Sequence, residues 1–310
     1  MGVGRLVGAG AVAAAATTLV RRALGATQPG GADRWTRTNH RGEPVSMLEG
    51  PAVALGLVAG TAVSGGSARV RCATVIATVG AGAFGVVDDL AEDTSTRTKG
   101  LRGHLGALAR GELTTGGLKV VGIGASSMLA AAVGTPRRGG AAAHAVDVVV
   151  NGALLAGTAN LLNLLDLRPG RALKAAALLT LPAATTQGGG GTGALLGTAL
   201  AAAPGDLAER DMLGDGGANA VGAFVGSRWA FGAPRPLRAA ALAGVVGLTL
   251  ASERVSFSAV VERTSWLRRL DQVGRRPASP APEQAVSSAA ASAAEGPEAG
   301  TQVGSEGATG

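Results

Sequence analysis

Carboxylates and cations are concentrated in one polar stretch that begins at the end of an apolar segment. Over residues 85–105 the sequence reads GVVDDLAEDTSTRTKGLRGHL. Paired carboxylates at the end of a membrane-like segment suit a hard cation, and a basic run suits phosphate. The stretch therefore predicts a site where a metal and phosphorylated substrates meet at a bilayer surface. Its acidic residues are Asp88, Asp89, Glu92 and Asp93, and its basic residues include Arg97, Lys99 and Arg102.

Two further motifs carry polar groups of the same kind. In NLLNLLDLRPGR, Asn160, Asn163 and Asp166 recur at three-residue spacing, which on a helix end directs their oxygen-bearing side chains to one side. In DMLGDGGANAVG, Asp215 lies in a glycine-rich turn before an apolar helix. Free backbone N–H groups and the positive helix end favour phosphate there. The first motif predicts contact with a cation, and the second predicts contact with a phosphate group.

A basic stretch nearer the N-terminus, RTNHRGEP, offers Arg37, His40 and Arg41 as contacts for an anion. Each motif also has a purely structural explanation. The aspartate pair could be a solvated helix terminus, and the Asn and Asp triplet could form hydrogen bonds between helices. The glycine turn could simply place Asp215 near a helix N-cap, and the arginines could only determine topology.

The composition favours a helical membrane protein. Hydrophobic residues make up 46% of the 310 residues, aromatic residues only 2%, and there is no Tyr; the mean hydropathy is +0.29. Abundant Ala and Gly are typical of membrane helices that pack closely through small side chains. A soluble Ala-rich helical domain is the alternative, but it would have to explain many separate uncharged runs. We therefore expect an all-α, polytopic membrane fold.

Nine apolar runs are candidates for transmembrane helices, and several are shorter than the roughly 20 residues of a perpendicular span. If the first run crosses inward, 20 of the 28 Arg and Lys residues fall on the inner side and 8 on the outer side. This bias predicts a multi-pass membrane protein with its polar motifs in cytoplasmic loops. The runs cover about residues 3–20, 51–64, 70–87, 118–133, 141–159, 172–187, 192–203, 218–232 and 237–252.

The chain is expected to have three parts. Residues 1–253 form the transmembrane domain, and 254–276 form a basic amphipathic helix on the anionic inner leaflet. Residues 277–310, rich in Ala, Ser, Gly, Pro and Glu, are predicted to be disordered. The net charge of +7 reflects topology here and does not predict nucleic-acid binding. A single cysteine and three dispersed histidines predict neither an intramolecular disulfide nor a zinc site.

In order and spacing, four segments resemble the cytoplasmic-loop motifs of the polyprenyl-phosphate sugar-1-phosphate transferases. This superfamily includes phospho-N-acetylmuramoyl-pentapeptide transferase and the undecaprenyl-phosphate N-acetylglucosamine-1-phosphate transferases. The resemblance covers about residues 34–222. The segments are RTNHRGEPVSMLEG, GVVDDLAEDTSTRTKGLRGHL, NLLNLLDLRPG and MLGDGGANAVG.

The resemblance implies a glycosyltransferase-type enzyme with Mg²⁺ as its cofactor. It would transfer a sugar-1-phosphate from a UDP-sugar to polyprenyl phosphate at the cytoplasmic membrane face, for cell-envelope polymer synthesis. The implied partners are polyprenyl phosphate, a nucleotide-sugar donor and the membrane, without nucleic acid; a homodimer is left open. The implied catalytic residues are Asp88, Asp89 and Asp166, the magnesium ligands are Asp215 and Asn163, and the substrate contacts are Arg41, Lys99, Asn160, Gly214 and Gly216.

The sequence also departs from that family. Leu167 and Pro169 stand where the family has a glycine and a second acidic residue that contacts the nucleobase, and no histidine follows His144. These departures motivate an alternative function, in which a catalytically degraded relative serves as a membrane scaffold or regulator of envelope synthesis. A small transporter is a third alternative, but it would place its polar clusters at mid-membrane.

Overall fold

The computed structural model describes residues 2–91, 114–184 and 189–277, and nearly all of its regular structure is helical. Two short strands are β1 (Thr36–Thr38) and β2 (Pro44–Ser46). The helices are α1 (Gly2–Thr27), α2 (Ala32–Trp35), α3 (Glu49–Val63), α4 (Ala68–Ala91), α5 (Thr115–Gly134), α6 (Ala141–Leu165), α7 (Arg171–Thr180), α8 (Gly190–Leu207), α9 (Gly214–Gly232), α10 (Arg235–Ser252), α11 (Phe257–Arg263) and α12 (Ser265–Gln272).

Helix α9 is the central helix of the bundle and packs against α3, α4 and α6. Most of its residues are buried. Its glycines allow close approach, since a Cβ added at Gly222 would lie 2.5 Å from the Cα of Ala159. Close backbone contact through small residues is how helices associate without large side chains. The N-terminus of α9 is likewise in close contact with α4, since a Cβ added at Gly85 would lie 2.3 Å from the carbonyl oxygen of Asp215.

The other helices pack around this centre in pairs. Helix α1 packs against α3 and α8, and a Cβ at Gly193 would lie only 2.0 Å from the carbonyl oxygen of Leu6. Helix α5 packs against α4 and α6, while α10 packs against α6. That last contact is fixed by Asp147, which pairs with Arg235 and Arg238. Asp147 thus joins α6 and α10.

Four helices are long and apolar enough to cross a membrane: α1, α4, α5 and α6. A fifth span arises if α10 and α11, which are bent by 94° at their junction, count as one. The nine spans predicted from the sequence are not confirmed. The run at 51–64 lies in α3, which has 15 residues, and the run at 172–187 falls partly in α7, which has only 10. The described structure supports a nearly all-α membrane protein with four or five candidate spans.

The polar segment between α1 and α3 contains a β-hairpin, which the all-α prediction did not include. Strands β1 and β2 pair antiparallel, with Arg37 opposite Val45. Ser46 then forms a parallel bridge to Asp211, just before α9, and its carbonyl accepts the N–H of Met212 at 2.8 Å. Arg21 of α1 pairs with the carboxylate of Asp211. These bonds attach the hairpin to the segment that leads into α9.

The basic amphipathic helix predicted at 254–276 is divided into α11 and α12, which are separated at Thr264. Trp266 and Val260 are 65% and 40% exposed, so part of their apolar surface has no partner in the described structure. The chain divides into one unit over residues 1–275 and another over 276–310. The structure describes only Arg276 and Pro277 of the second unit, so the predicted disorder of 277–310 falls almost wholly outside the described residues.

Helix α12 is held against α7 by Asp271. Its carboxylate accepts hydrogen bonds from Arg171 at 2.8 and 3.2 Å and pairs with Arg275, while Lys174 donates to its carbonyl oxygen at 2.7 Å. Burial acts to raise the pKa of the Asp271 carboxyl, but the bonds and charges of Arg171 and Arg275 outweigh it and lower the pKa. This contact therefore stabilises the protein above the ordinary carboxyl pKa and is lost as the pH falls through the lowered pKa.

We expect Asp271→Asn to release α11 and α12 from α7. The substitution leaves the buried guanidinium of Arg171 without its anionic partner, which we expect to cost about 2 kcal/mol, somewhat less than breaking a fully buried pair. Limited proteolysis in detergent should then cleave near residue 264 much faster than in the wild-type protein. Glu262→Gln, in the neighbouring helix, is the control. Equal cleavage rates for Asp271→Asn and the wild type would contradict this role of Asp271.

Candidate functional site

The ammonium group of Lys119 lies between two carboxylates at one end of the bundle. Its Nζ atom contacts Asp88 in the last turns of α4 and Asp215 in the first turn of α9. The exposed fractions of the three side chains are 18% for Lys119, 13% for Asp88 and 27% for Asp215, so solvent screens these charges only in part. We call the end of the bundle that carries these residues the acidic end.

The neighbouring Asp89 caps the N-terminus of α9. Its carboxylate accepts the backbone N–H groups of Asp215 at 3.0 Å and Gly216 at 2.9 Å. Gly214 precedes them with a φ of 58°, which glycine adopts without strain. The sequence predicts that N–H groups of this turn are free to bind phosphate; two of them are instead occupied by Asp89. This arrangement fixes the position of α4 relative to α9.

An apolar groove of about 480 Å³ opens beside Lys119, between α5, α6 and α10. Aliphatic side chains such as Val120, Ile123 and Val245 form much of its wall. Amide side chains of Asn160, Asn163 and Asn219 also line it, together with Lys119. A groove of this kind can hold an apolar chain with a polar or anionic head group at the end where the amides and the ammonium lie.

A second pocket, of about 270 Å³, lies beneath the β-hairpin. Glu209 is one of its lining residues. Its side chain is only 1% exposed and accepts hydrogen bonds from Arg41 at 2.9 Å and Asn39 at 3.1 Å. Both cations and carboxylates line this pocket, so it can contact an anion and a hydrogen-bond donor at once. Its charged and imidazole-bearing lining residues are Arg37, His40, Asp166, Arg168, Asp206, Glu209 and Asp211.

Three groups of this pocket, Asp166, Asp206 and His40, have shifted pKa values, and burial raises the pKa of Asp206 to about 6. Burial raises the pKa of Asp166 well above its ordinary value, and the carboxylates of Asp206 and Asp215 add to the shift. Burial lowers the pKa of His40; Glu209 opposes this shift, and the charge of Arg168 adds to it. At neutral pH His40 is therefore mainly uncharged, and Asp166 is more readily protonated than an exposed aspartate.

The predicted site residues fall into two neighbouring groups. Asp88, Asp89, Gly214, Asp215 and Gly216 are in direct contact with one another or with Lys119, and Asn160 and Asn163 line the adjoining groove. Asp166 lines the second pocket, where Arg41 contacts Glu209. Lys99 lies outside the described residues. Residues from distant parts of the sequence are therefore gathered at the acidic end.

The family resemblance implies magnesium at Asp215 and Asn163, and their carboxylate and amide oxygens suit this ion in kind. However, Asp88 and Asp215 are both paired with Lys119, and Asp89 accepts backbone hydrogen bonds. Within residues 2–91, 114–184 and 189–277, no group of three or more His, Cys, Asp or Glu is arranged to hold a metal ion. The arrangement as it stands does not fit magnesium, and Lys119 supplies the positive charge between the carboxylates.

Several residues of the acidic end were not identified from the sequence. In the sequence, Lys119 is only a charged residue at the start of an apolar run. Asp206 and Glu209 lie in a segment without a recognisable motif. The signal available for Lys119 was its position one turn inside an apolar helix, where an ionisable side chain is costly and usually has a function or a partner. The position of Asp206 and Glu209 in the pocket beneath the hairpin depends on tertiary contacts, which no local sequence pattern shows.

Comparison with known proteins gives no assignment for the chain. No protein-family model matches the sequence, and no curated protein matches it at a significant level. The family resemblance therefore depends on the four motifs themselves and on what their residues can do together.

Proposed function

We propose that the protein is a membrane transferase that moves a sugar-1-phosphate from a UDP-sugar to polyprenyl phosphate, at the cytoplasmic face of the plasma membrane, for cell-envelope polymer synthesis. The observation that carries the proposal is the contact of Lys119 with Asp88 and Asp215 beside an apolar groove. An isoprenoid chain requires a long apolar surface, and its phosphate requires a cation. The groove and Lys119 offer both within one site.

The chemistry requires one P–O bond to form and another to break. An oxygen of the lipid phosphate attacks the sugar-linked phosphorus of the donor, the bond to UMP breaks, and UMP leaves while the lipid keeps the phospho-sugar. We assign Asp88 to orient the lipid phosphate and accept its proton, because Asp89 is engaged in capping α9. We assign Lys119 to neutralise charge that develops on the phosphates, where a preorganised cation is most effective.

We assign the nucleotide-sugar donor to the second pocket. Arg37 and Arg168 line it and can contact the donor's phosphates, whereas Asp166 and Asp206 can accept hydrogen bonds from hydroxyl groups of a sugar or ribose. Leu167 and Pro169 line the same pocket at positions where the family has a glycine and an acidic residue. This proposal therefore includes a different way of contacting the nucleobase. The family resemblance implies magnesium, whereas the described residues as they stand do not fit it, so the assay is run both with magnesium and with a chelator.

The test is release of UMP by membrane vesicles that contain the overproduced protein. Polyprenyl phosphate and a panel of UDP-sugars are supplied, with magnesium or with a chelator, and vesicles without the protein serve as the control. We expect at least one donor to give UMP together with a lipid-linked phospho-sugar. If no donor gives UMP above the control in either condition, the transferase proposal is wrong.

A second candidate function is a membrane scaffold or regulator of envelope synthesis. The observation that favours it is that Lys119 already pairs with both Asp88 and Asp215, so each of these three side chains has a charged partner without a ligand. This function predicts that Asp88→Asn and Asp215→Asn preserve the cellular role of the protein, whereas deletion of residues 254–310 abolishes it. The reverse pattern in a complementation experiment would exclude the scaffold.

A further inference from the structure

A further cavity, lined by basic side chains, lies at the end of the bundle opposite the acidic end. Arg71, near the start of α4, is 17 residues before Asp88, and Arg228, late in α9, is 13 residues after Asp215. At 1.5 Å per helical residue these separations are roughly 25 and 20 Å. The cavity has a volume of about 200 Å³ and is distinct from the groove and from the pocket beneath the hairpin.

Its lining combines two guanidinium groups with several hydroxyl groups. Arg71 and Arg228 line it from two helices, and Thr61, Ser64 and Thr74 contribute hydroxyl groups. Arg228 is only 8% exposed, and α8 leaves room for it: a Cβ at Gly191 would lie 2.5 Å from its Nη1 atom. The Arg71 guanidinium is anchored by a 2.8 Å hydrogen bond to the carbonyl of Gly66. The two cations are thus positioned by the bundle around one cavity.

The charge around this cavity is strongly positive. None of the described residues that line it is acidic. Arg5 is also close, because a Cβ at Gly65 would lie 3.0 Å from its Nε atom. Of the described acidic residues, only Asp147 lies in this half of the bundle, and it pairs with Arg235 and Arg238. The cavity therefore attracts anions rather than cations.

We propose that this cavity binds a phosphate group, either of an anionic lipid or of a soluble phosphate. Guanidinium groups bind phosphate through directional, charge-assisted hydrogen bonds. The hydroxyl groups of Thr61 and Ser64 donate to backbone carbonyl groups, so the two guanidinium groups carry the binding. This site does not depend on the proposed transferase activity. Because it lies roughly 20 Å or more from Lys119, its ligand is a different molecule from any bound at the acidic end.

The test uses the full-length protein in detergent and follows its thermal unfolding. One series adds inorganic phosphate, a second adds short-chain phosphatidylglycerol, and a third adds sodium chloride at matched ionic strength. We expect phosphate or the lipid, but not chloride, to raise Tm in a saturable way. Stabilisation by inorganic phosphate identifies a soluble anion site, and stabilisation by the lipid alone identifies a head-group site.

Variants locate the binding. Arg71→Gln, which changes a half-buried residue, should weaken the apparent affinity about tenfold, since a hydrogen bond to a charged group contributes roughly that factor. Arg228→Gln should weaken it similarly if the variant folds. Arg138→Gln, at an exposed position, is the matched control. Lys119→Met tests whether the anion binds at the acidic end instead, and we expect this variant to keep the wild-type affinity for the anion. If neither ligand stabilises the protein more than chloride, or if Arg71→Gln binds like the wild type, the proposal is wrong.

Discussion

Replacing Lys119 with methionine is expected to destabilise the protein and to abolish UMP release. The substitution keeps an unbranched side chain, one atom shorter, but removes the ammonium group that contacts both Asp88 and Asp215. Two poorly exposed carboxylates are then left facing each other, and we expect a loss of roughly 2–3 kcal/mol, since breaking a buried pair costs about 3–5 kcal/mol and this pair is partly exposed. Chemical unfolding in detergent micelles measures this loss.

Two companion variants separate charge from packing. Lys119→Arg keeps the positive charge and should retain most of the stability. Lys119→Met combined with Asp88→Asn should be more stable than Lys119→Met alone, because the substitution at Asp88 removes one of the two repelling charges. A Lys119→Met variant as stable as the wild type would show that the ammonium group does not hold α4, α5 and α9 together.

The second large effect is expected from Gly85→Ala. A Cβ at Gly85 would lie 2.3 Å from the carbonyl oxygen of Asp215 and 2.7 Å from the Cα of Gly216, and both are backbone atoms. Helix α4 must therefore move away from α9, and overpacking of this kind costs about 1–3 kcal/mol. The movement should also weaken the hydrogen bonds from α9 to Asp89. We expect lower stability and at least about a 100-fold loss of UMP release, since small displacements at a reacting centre have large effects.

Gly124→Ala is the matched control. Gly124 is a helical glycine of α5, and a Cβ added there meets no atom within 4 Å. Because alanine is a better helix former than glycine, this variant should be as stable as the wild type or slightly more stable. Equal behaviour of the two alanine variants would mean that α4 and α9 are not in close contact at Gly85.

The helical class of the fold could be predicted from hydropathy and small residues, but the number of spans could not. Helix α9 illustrates the reason. It contains Asp215 and Arg228, and it is buried among neighbouring helices that provide partners and cover for both. Hydropathy measures how apolar a segment is. It does not distinguish a helix that faces lipid from a short helix that is enclosed by protein. The runs assigned to α3 and α7 fall on helices of 15 and 10 residues, which are shorter than a perpendicular span.

The sequence predicted those parts of the site whose residues lie together in short motifs. The aspartate pair and the glycine turn identified two of the three helices that meet at the acidic end. Lys119 could not be found in this way, because its role comes from the packing of α5 against α4. The role of Asp89 as the cap of α9 was also hidden, since its partners lie 126 and 127 residues away in the sequence. Contacts over such distances are fixed by topology rather than by local spacing.

The most direct test compares UMP release by Asp215→Asn with release by Asp147→Asn. Both substitutions remove a carboxylate that is paired with a basic side chain, but Asp215 lies at the acidic end and Asp147 at the other end. With equal amounts of folded protein, we expect Asp215→Asn to lose at least about 100-fold in rate, as is usual when a charged group at a reacting centre is removed. Asp147→Asn should keep the wild-type rate. Equal rates for Asp215→Asn and the wild type would contradict a catalytic site at the acidic end.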